Sequence, residues 1–257
     1  MSLLLLTDAH FAPRGLDYVE VIGHILLVLI PSSHNSRSEV VMKTLSVLLL
    51  SASTLFAQST TPKQEKVLFQ NEYVRVYEAN LDPGEKLQPH ETGNRLIYSL
   101  TSYALKYHWD NRVTEEKRKS GEIHFHPAGV HFEENAGKQR ATFLLVERTS
   151  NPLPATEGMG LDMARVAPYN TKVLFDRDMA KVFEVSLPPK DNVPMHFGLN
   201  RVIYALTNLD LLITTPDGKQ AKLTRRKGSV EWHLAGLHKV QNNIDVPARL
   251  VVFGFKR

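Results

Sequence analysis

The residues best suited to chemistry in this chain come in two matched sets. The stretches PAGVHFEEN, 127–135, and LAGLHKVQN, 234–242, share the skeleton A-G-x-H-x-x-x-N, which places His131 and His238 alike. Upstream, His90 and His196 each precede an Asn-Arg pair, Asn94-Arg95 and Asn200-Arg201, with Tyr98 and Tyr204 three residues beyond. His126 and His233 each stand five residues before the hairpin histidine. Two chemistries fit these residue types. Neutral imidazole is a ligand for divalent transition metals, so His90 with His131 and His196 with His238 are candidate metal pairs. A guanidinium is a planar fork for carboxylate or phosphate. Arg95 and Arg201 are therefore candidate ligand contacts, with Asn94, Tyr98, His126, Asn200, Tyr204 and His233 as polar neighbours. Each arginine could instead make a structural ion pair with Glu78 or Glu184, which also recur, and each hairpin histidine could cap its turn.

Other chemistries are excluded. The 257 residues contain no cysteine, so disulfides, thiolate metal sites and a cysteine nucleophile are absent. No G-x-S-x-G elbow or phosphate-cradling glycine loop occurs. Glu133 and Glu134 are adjacent, so on a strand they face opposite sides. The net charge of +4 is spread among acids, without a basic stripe interleaved with aromatics, so nucleic acid is not an expected partner.

The elements that position these residues are duplicated. KVLFQNEYVRVYEANLDPGEKLQPHETGNRLIYSL from Lys66 matches KVLFDRDMAKVFEVSLPPKDNVPMHFGLNRVIYAL from Lys172 at a constant offset of 106. After one inserted residue the match resumes at 107, through Gly121/Gly228, His126/His233, Gly129/Gly236, His131/His238 and Asn135/Asn242. So long a register is a gene-level duplication. YVRVYEANL, RLIYSLTSYALKYHW, EIHFHP and ATFLLVER alternate or are rich in β-branched and aromatic residues, and Pro/Gly/Asn turn signals separate them. The expected fold class is all-β, with a sandwich or barrel in each half. His124 and His126 alternate with Ile123 and Phe125 and so share one strand face, but the spacing leaves open whether that face points inward.

Each half resembles a cupin, a small jelly-roll β-barrel. Gly121, Pro127, Gly129, His131 and Asn135 follow the family's second motif with one residue fewer before the histidine. Gly228, Gly236, His238 and Asn242 repeat it, and Gly84 leads to His90 as in the first motif. The resemblance implies two tandem barrels, 66–150 and 166–257, joined by a linker over 151–165. It also implies a divalent metal (Mn, Fe, Ni, Cu or Zn), in the first barrel above all, held by two histidines and a glutamate of motif one and the histidine of motif two. His90, His131, His196 and His238 match that set. Thr92 and Gly198 stand at the second histidine, and Arg95 and Arg201 at the glutamate. Glu91, His124, His126, Glu231 and His233 are the candidates to complete a site.

MKTLSVLLLSASTLFAQS, 42–59, has the parts of a secretory signal: Lys43, an apolar run and a small residue at Ala57. Residues 42–57 are therefore read as a signal peptide, 1–41 as an upstream extension or mis-assigned start, and the protein as periplasmic or secreted, with no membrane contact after cleavage. The functional expectation is an exported bicupin, a monomer or homodimer, binding a small polar ligand such as a sugar or organic acid. A metal-dependent oxygenase or isomerase acting from the first barrel is the alternative, and a purely structural protein a third.

Overall fold

The computed structural model describes residues 65–155 and 160–256; the upstream extension and signal peptide read from the sequence lie outside them. The first half contains β1 (Glu65–Gln70), β2 (Val74–Leu81), β3 (His90–Thr92), β4 (Arg95–Ser99), β5 (Tyr103–Trp109), β6 (Arg112–Arg118), β7 (Ile123–His126), β8 (Gly129–Asn135) and β9 (Ala141–Arg148). A short helix, α1 (Met163–Val166), precedes β10 (Thr171–Arg177), β11 (Ala180–Leu187), β12 (Asn192–Gly198), β13 (Asn200–Ala205) and β14 (Leu209–Thr214). The chain ends with β15 (Gln220–Arg225), β16 (Val230–His233), β17 (Gly236–Asn242) and β18 (Ala248–Phe255).

The first half forms a five-stranded sheet, β1-β2-β9-β4-β7, facing a four-stranded sheet, β3-β8-β5-β6; the second repeats both orders as β10-β11-β18-β13-β16 and β12-β17-β14-β15. All strand pairs are antiparallel, and the register break between Val67 and Phe69 recurs between Val173 and Phe175. These are two jelly-roll barrels related strand for strand.

Period-two alternation sorts each five-stranded sheet into two faces. On β2, Ala79 and Leu81 join Ile97, Leu105, Phe143 and Leu145 inside the first barrel. Val74 and Val76 point the other way, into a core shared by both halves: Leu96, Tyr98, Leu144 and Val146 from one sheet meet Val182, Val202, Tyr204, Val251 and Phe253 from the other. The five-stranded sheets thus pack back to back, with Tyr73 stacked on Trp232 at 5.5 Å across the junction. The region read as a linker over 151–165 contributes to the second barrel at its end, because Met163 of α1 is buried in that barrel's core.

The repeated hairpins are locked by their last residue. Asn135 is buried; its Nδ2 donates to the carbonyls of Leu81 and Gln139, both at 2.8 Å, while Oδ1 accepts from Gly137 N at 2.9 Å. Asn242 donates likewise to Leu187, Pro188 and Val246. Asparagine is needed because one side chain must donate twice and accept once. Truncating Asn135 to alanine strands buried backbone groups, and the expected loss is about 2–4 kcal/mol of unfolding free energy, read from urea denaturation.

Candidate functional site

In the first barrel β3 pairs with β8, which sets His90 directly opposite His131 with ring centroids 5.2 Å apart. Nδ1 of His90 donates to the Gln88 carbonyl at 2.8 Å, leaving Nε2 as a buried lone pair without a hydrogen-bond partner. Arg95, inward from β4 and 3 % exposed, reaches the same place. Its Nη2 donates to Glu133 Oε1 at 2.9 Å and to His131 Nε2 at 3.1 Å, and its Nη1 lies 3.9 Å from Glu65 Oε1. Glu65 Oε1 is in turn 4.0 Å from His90 Nε2.

The phase of β7 is settled by its neighbours. Ile123 and Phe125 pack on the shared core, so His124 and His126 face the barrel interior. His126 stacks on Trp109 at 5.3 Å and lies 4.5 Å from His131. Glu91, exposed on the opposite face from His90, takes no part, and Thr92 Oγ1 donates to the Gly129 carbonyl at 3.3 Å. The partners that sequence reasoning missed are Glu133 and Glu65. Glu133 sits two residues after His131 and therefore on its face, a signal present in the alternation. Glu65 arrives through the β1–β2 pairing, and nothing in its spacing announces it.

Burial alone would raise the Glu133 carboxyl, but the neighbouring His131 and the Arg95 guanidinium outweigh it and hold the group below its usual range. Glu65 is pushed up to about 7, by burial first and by Glu133 and Glu147, against the pull of Arg95. His126 falls to about 3 and His124 to about 4, mainly through burial, with Arg95 and Arg118 respectively adding repulsion.

By type and spacing His90, His131 and Glu133 could hold a metal ion, since one ligand atom from each lies within 4.8 Å of the others. Their arrangement does not fit a resident dication, however. A metal needs the lone pairs of Glu133 Oε1 and His131 Nε2, and the Arg95 guanidinium already hydrogen-bonds both. A guanidinium does not deprotonate, so it and a dication compete for one position.

The second barrel keeps the frame and loses the acids. His196 faces His238 at 4.3 Å, and Arg201, 6 % exposed, donates from Nη2 to His238 Nε2 at 3.1 Å. Its Nη1 donates to the Leu199 and Leu234 carbonyls at 3.1 and 3.0 Å. Among the described residues no carboxylate pairs with it. Glu133 is matched by Val240, Glu65 by Thr171 and Glu147 by Gly254. Burial pulls Arg201 down to about 10. Gly198 is imposed by the same group: a Cβ there would stand 2.5 Å from Arg201 Nη1 and 2.7 Å from His238 Cε1. A cavity of about 370 Å³ lined by Gly198, Arg201, Phe183 and Phe197 adjoins a chamber of about 40 Å³ lined by Arg201, His196, His233 and His238.

Four of the expected ligand contacts need correcting. Asn94 Oδ1 accepts from Ala128 N at 3.0 Å and Asn200 Oδ1 from Ala235 N at 2.9 Å, so both asparagines hold the hairpins. Tyr98 and Tyr204 face the junction between barrels because they alternate with the inward Arg95 and Ile97, and Arg201 and Ile203. Glu78 and Glu184 share that outer side and cannot pair with the arginines; Glu184 accepts from Arg249 instead.

His233 and His238 are also depressed, to about 4 and about 3, by burial and then by Arg201. A histidine kept neutral in the fold binds its proton only in the unfolded chain, so the contribution of these four histidines is complete above about pH 6.5 and is lost as pH drops toward 4, outweighing the single opposite contribution of Glu65. Urea midpoints measured from pH 8 to pH 4 are expected to fall through that window. The slope is expected to be shallower in His124→Asn, where one of the depressed imidazoles is gone.

No family model matches the chain, and no curated protein matches it. Solved structures do. AerE from Microcystis aeruginosa aligns over 76% of this chain and 99% of its own, at 16% identity and a TM-score of 0.53. Oxalate decarboxylase from Bacillus subtilis, a protein with Mn(II) centres, aligns over 75% and 72% at 15% identity and a TM-score of 0.52. The oxalate decarboxylase of Lactobacillus farciminis, solved as a formate complex, aligns over 75% and 80% at 13% identity and a TM-score of 0.52. Identities this low speak to fold alone. With the doubled strand order and the doubled hairpin, they give this chain the fold of a bicupin, two tandem cupin barrels in one polypeptide.

Proposed function

We propose that this protein binds a small organic acid in its second barrel, while an internal ion pair closes the first. The observation that supports this most is the contrast between the duplicated arginines. Arg95 is neutralised by Glu133, with Glu65 beside it, whereas Arg201 is equally buried and has only carbonyls and an imidazole as partners among the described residues. A buried charge without a counter-charge costs several kcal/mol, and a carboxylate accepting two guanidinium hydrogens would offset that. His196, whose Nε2 is buried without a partner, and His233 would supply further polar contacts in a chamber otherwise lined by Leu211, Ile213 and Val252. The adjoining cavity of about 370 Å³ suits a molecule of a few carbons. Export guided by residues 42–57 would bring the protein to the periplasm or the medium.

Thermal unfolding with acetate, oxalate, malonate, succinate and citrate tests the reading. One of them at a hundredfold excess over its Kd is expected to add about 2.7 kcal/mol, a rise of several degrees in Tm. The rise should vanish in Arg201→Gln. No response to any acid, or an undiminished response in that variant, would count against the site.

A second reading, a metal-dependent enzyme in the first barrel, is favoured by the His90–His131–Glu133 group and requires Arg95 to leave it. Elemental analysis of protein purified without an affinity tag separates the two. We expect far less than one equivalent of Mn, Fe, Ni, Cu or Zn in the natural chain, and measurable uptake of Zn by Arg95→Ala.

A further inference from the structure

Several residues recur in both halves although neither barrel interior uses them: Glu78 and Glu184, Tyr98 and Tyr204, Leu100 and Leu206, Gly121 and Gly228. The structure gathers all but Gly228 around one cleft of about 640 Å³ at the junction of the barrels. Tyr98 and Tyr204 bury their rings, but their hydroxyls open to the cleft, where neither has a hydrogen-bond partner among the described residues. Two matched hydroxyls that face the cleft and use no protein partner are free to bond a ligand in place of water. Each lies beside a carboxylate of the opposite half. A Cβ on Gly121 would be 3.8 Å from Glu184 Oε2 and 3.9 Å from the Tyr98 hydroxyl, and Glu78 is the charge that adds to burial in raising Tyr204 to about 12. Gly121 and Gly228, at φ of 84° and 85°, turn the chain tightly at these hydroxyls, with their N–H groups donating to the Ser99 and Ala205 carbonyls at 2.8 Å.

The lining has both signs of charge. Glu78, Glu122 and Glu184 line the cleft together with Lys119, Lys172, Lys227 and Arg249; Arg249 is paired with Glu184, and the three lysines make no ion pair within 4.0 Å among the described residues. An anion still meets Glu78 and Glu122 there, and a cation meets three lysines. A neutral molecule that both donates and accepts meets no like charge: its hydroxyls donate to the carboxylates and accept from the lysines and tyrosines. We infer that the inter-barrel cleft is a second ligand site, separate from the barrel interiors, for a neutral polyhydroxylated molecule of mono- to disaccharide size.

Titration calorimetry of the chain with glucose, galactose, sucrose, maltose and sorbitol tests it. At least one is expected to bind, and the Tyr98→Phe/Tyr204→Phe double variant is expected to bind it about tenfold or more weakly. That variant removes hydroxyls without protein partners, so its Tm without ligand should match the parent. Lys172→Gln, on the exposed rim, should weaken binding without touching the core, and Arg201→Gln should leave it unchanged. Absence of binding by all five compounds overturns the inference. So does binding that ignores the tyrosine and lysine variants, or binding lost only with Arg201, which would place the sugar in the barrel.

Discussion

Everything in this molecule is hung on two five-stranded sheets packed back to back. Each sheet is covered on one side by its own four-stranded partner and on the other by the second half of the chain. Strands covered on both faces must be apolar on both, which is why β4 and β9 read as nearly unbroken hydrophobic runs. Polar side chains on those sheets survive only where something answers them. The interior face has an arginine among histidines, and the junction face has tyrosines beside carboxylates. Polar chemistry inside these sheets is thus limited to the few places where that rule of apolar cover is broken.

The broken places differ between the halves because a buried guanidinium must be answered somehow, and the two barrels answer differently. The first surrounds Arg95 with carboxylates and imidazoles, a dense network in which the cation stands among donor atoms of the kind metals use. The second gives Arg201 neutral acceptors and leaves space beside it. Val240, Thr171 and Gly254, at positions that hold glutamates in the first barrel, leave three fewer negative charges around one group. Coulombic interactions strengthen as water is excluded, so this difference of a few side chains outweighs the near-identity of the backbones.

The duplication, the strands and the locking asparagines were legible because they rest on local rules: period two, turn residues, a constant offset. Face assignment was not. Alternation showed that His124 and His126 point together, but only the packing of Ile123 and Phe125 against the other half fixes which way. Tyr98 misled for a related reason, since in a sheet covered twice a large buried ring belongs to either side. Glu133 was readable by counting two from His131, and Glu65 was not, because it is delivered by a strand pairing that carries no mark in its neighbours. What the sequence under-determined was the environment of each charge, which is set by residues distant along the chain.

The missing side chain at Gly198 limits which substitutions the second barrel accepts. The guanidinium of Arg201 occupies the volume that a Cβ would need, so a histidine cannot be placed there while the arginine remains extended. Shortening Arg201 first would remove the group that gives the chamber its charge. Turning this barrel into a metal site would therefore pass through an intermediate with neither ligand set. Positions 198 and 201 are thus coupled, since the size of one limits the other.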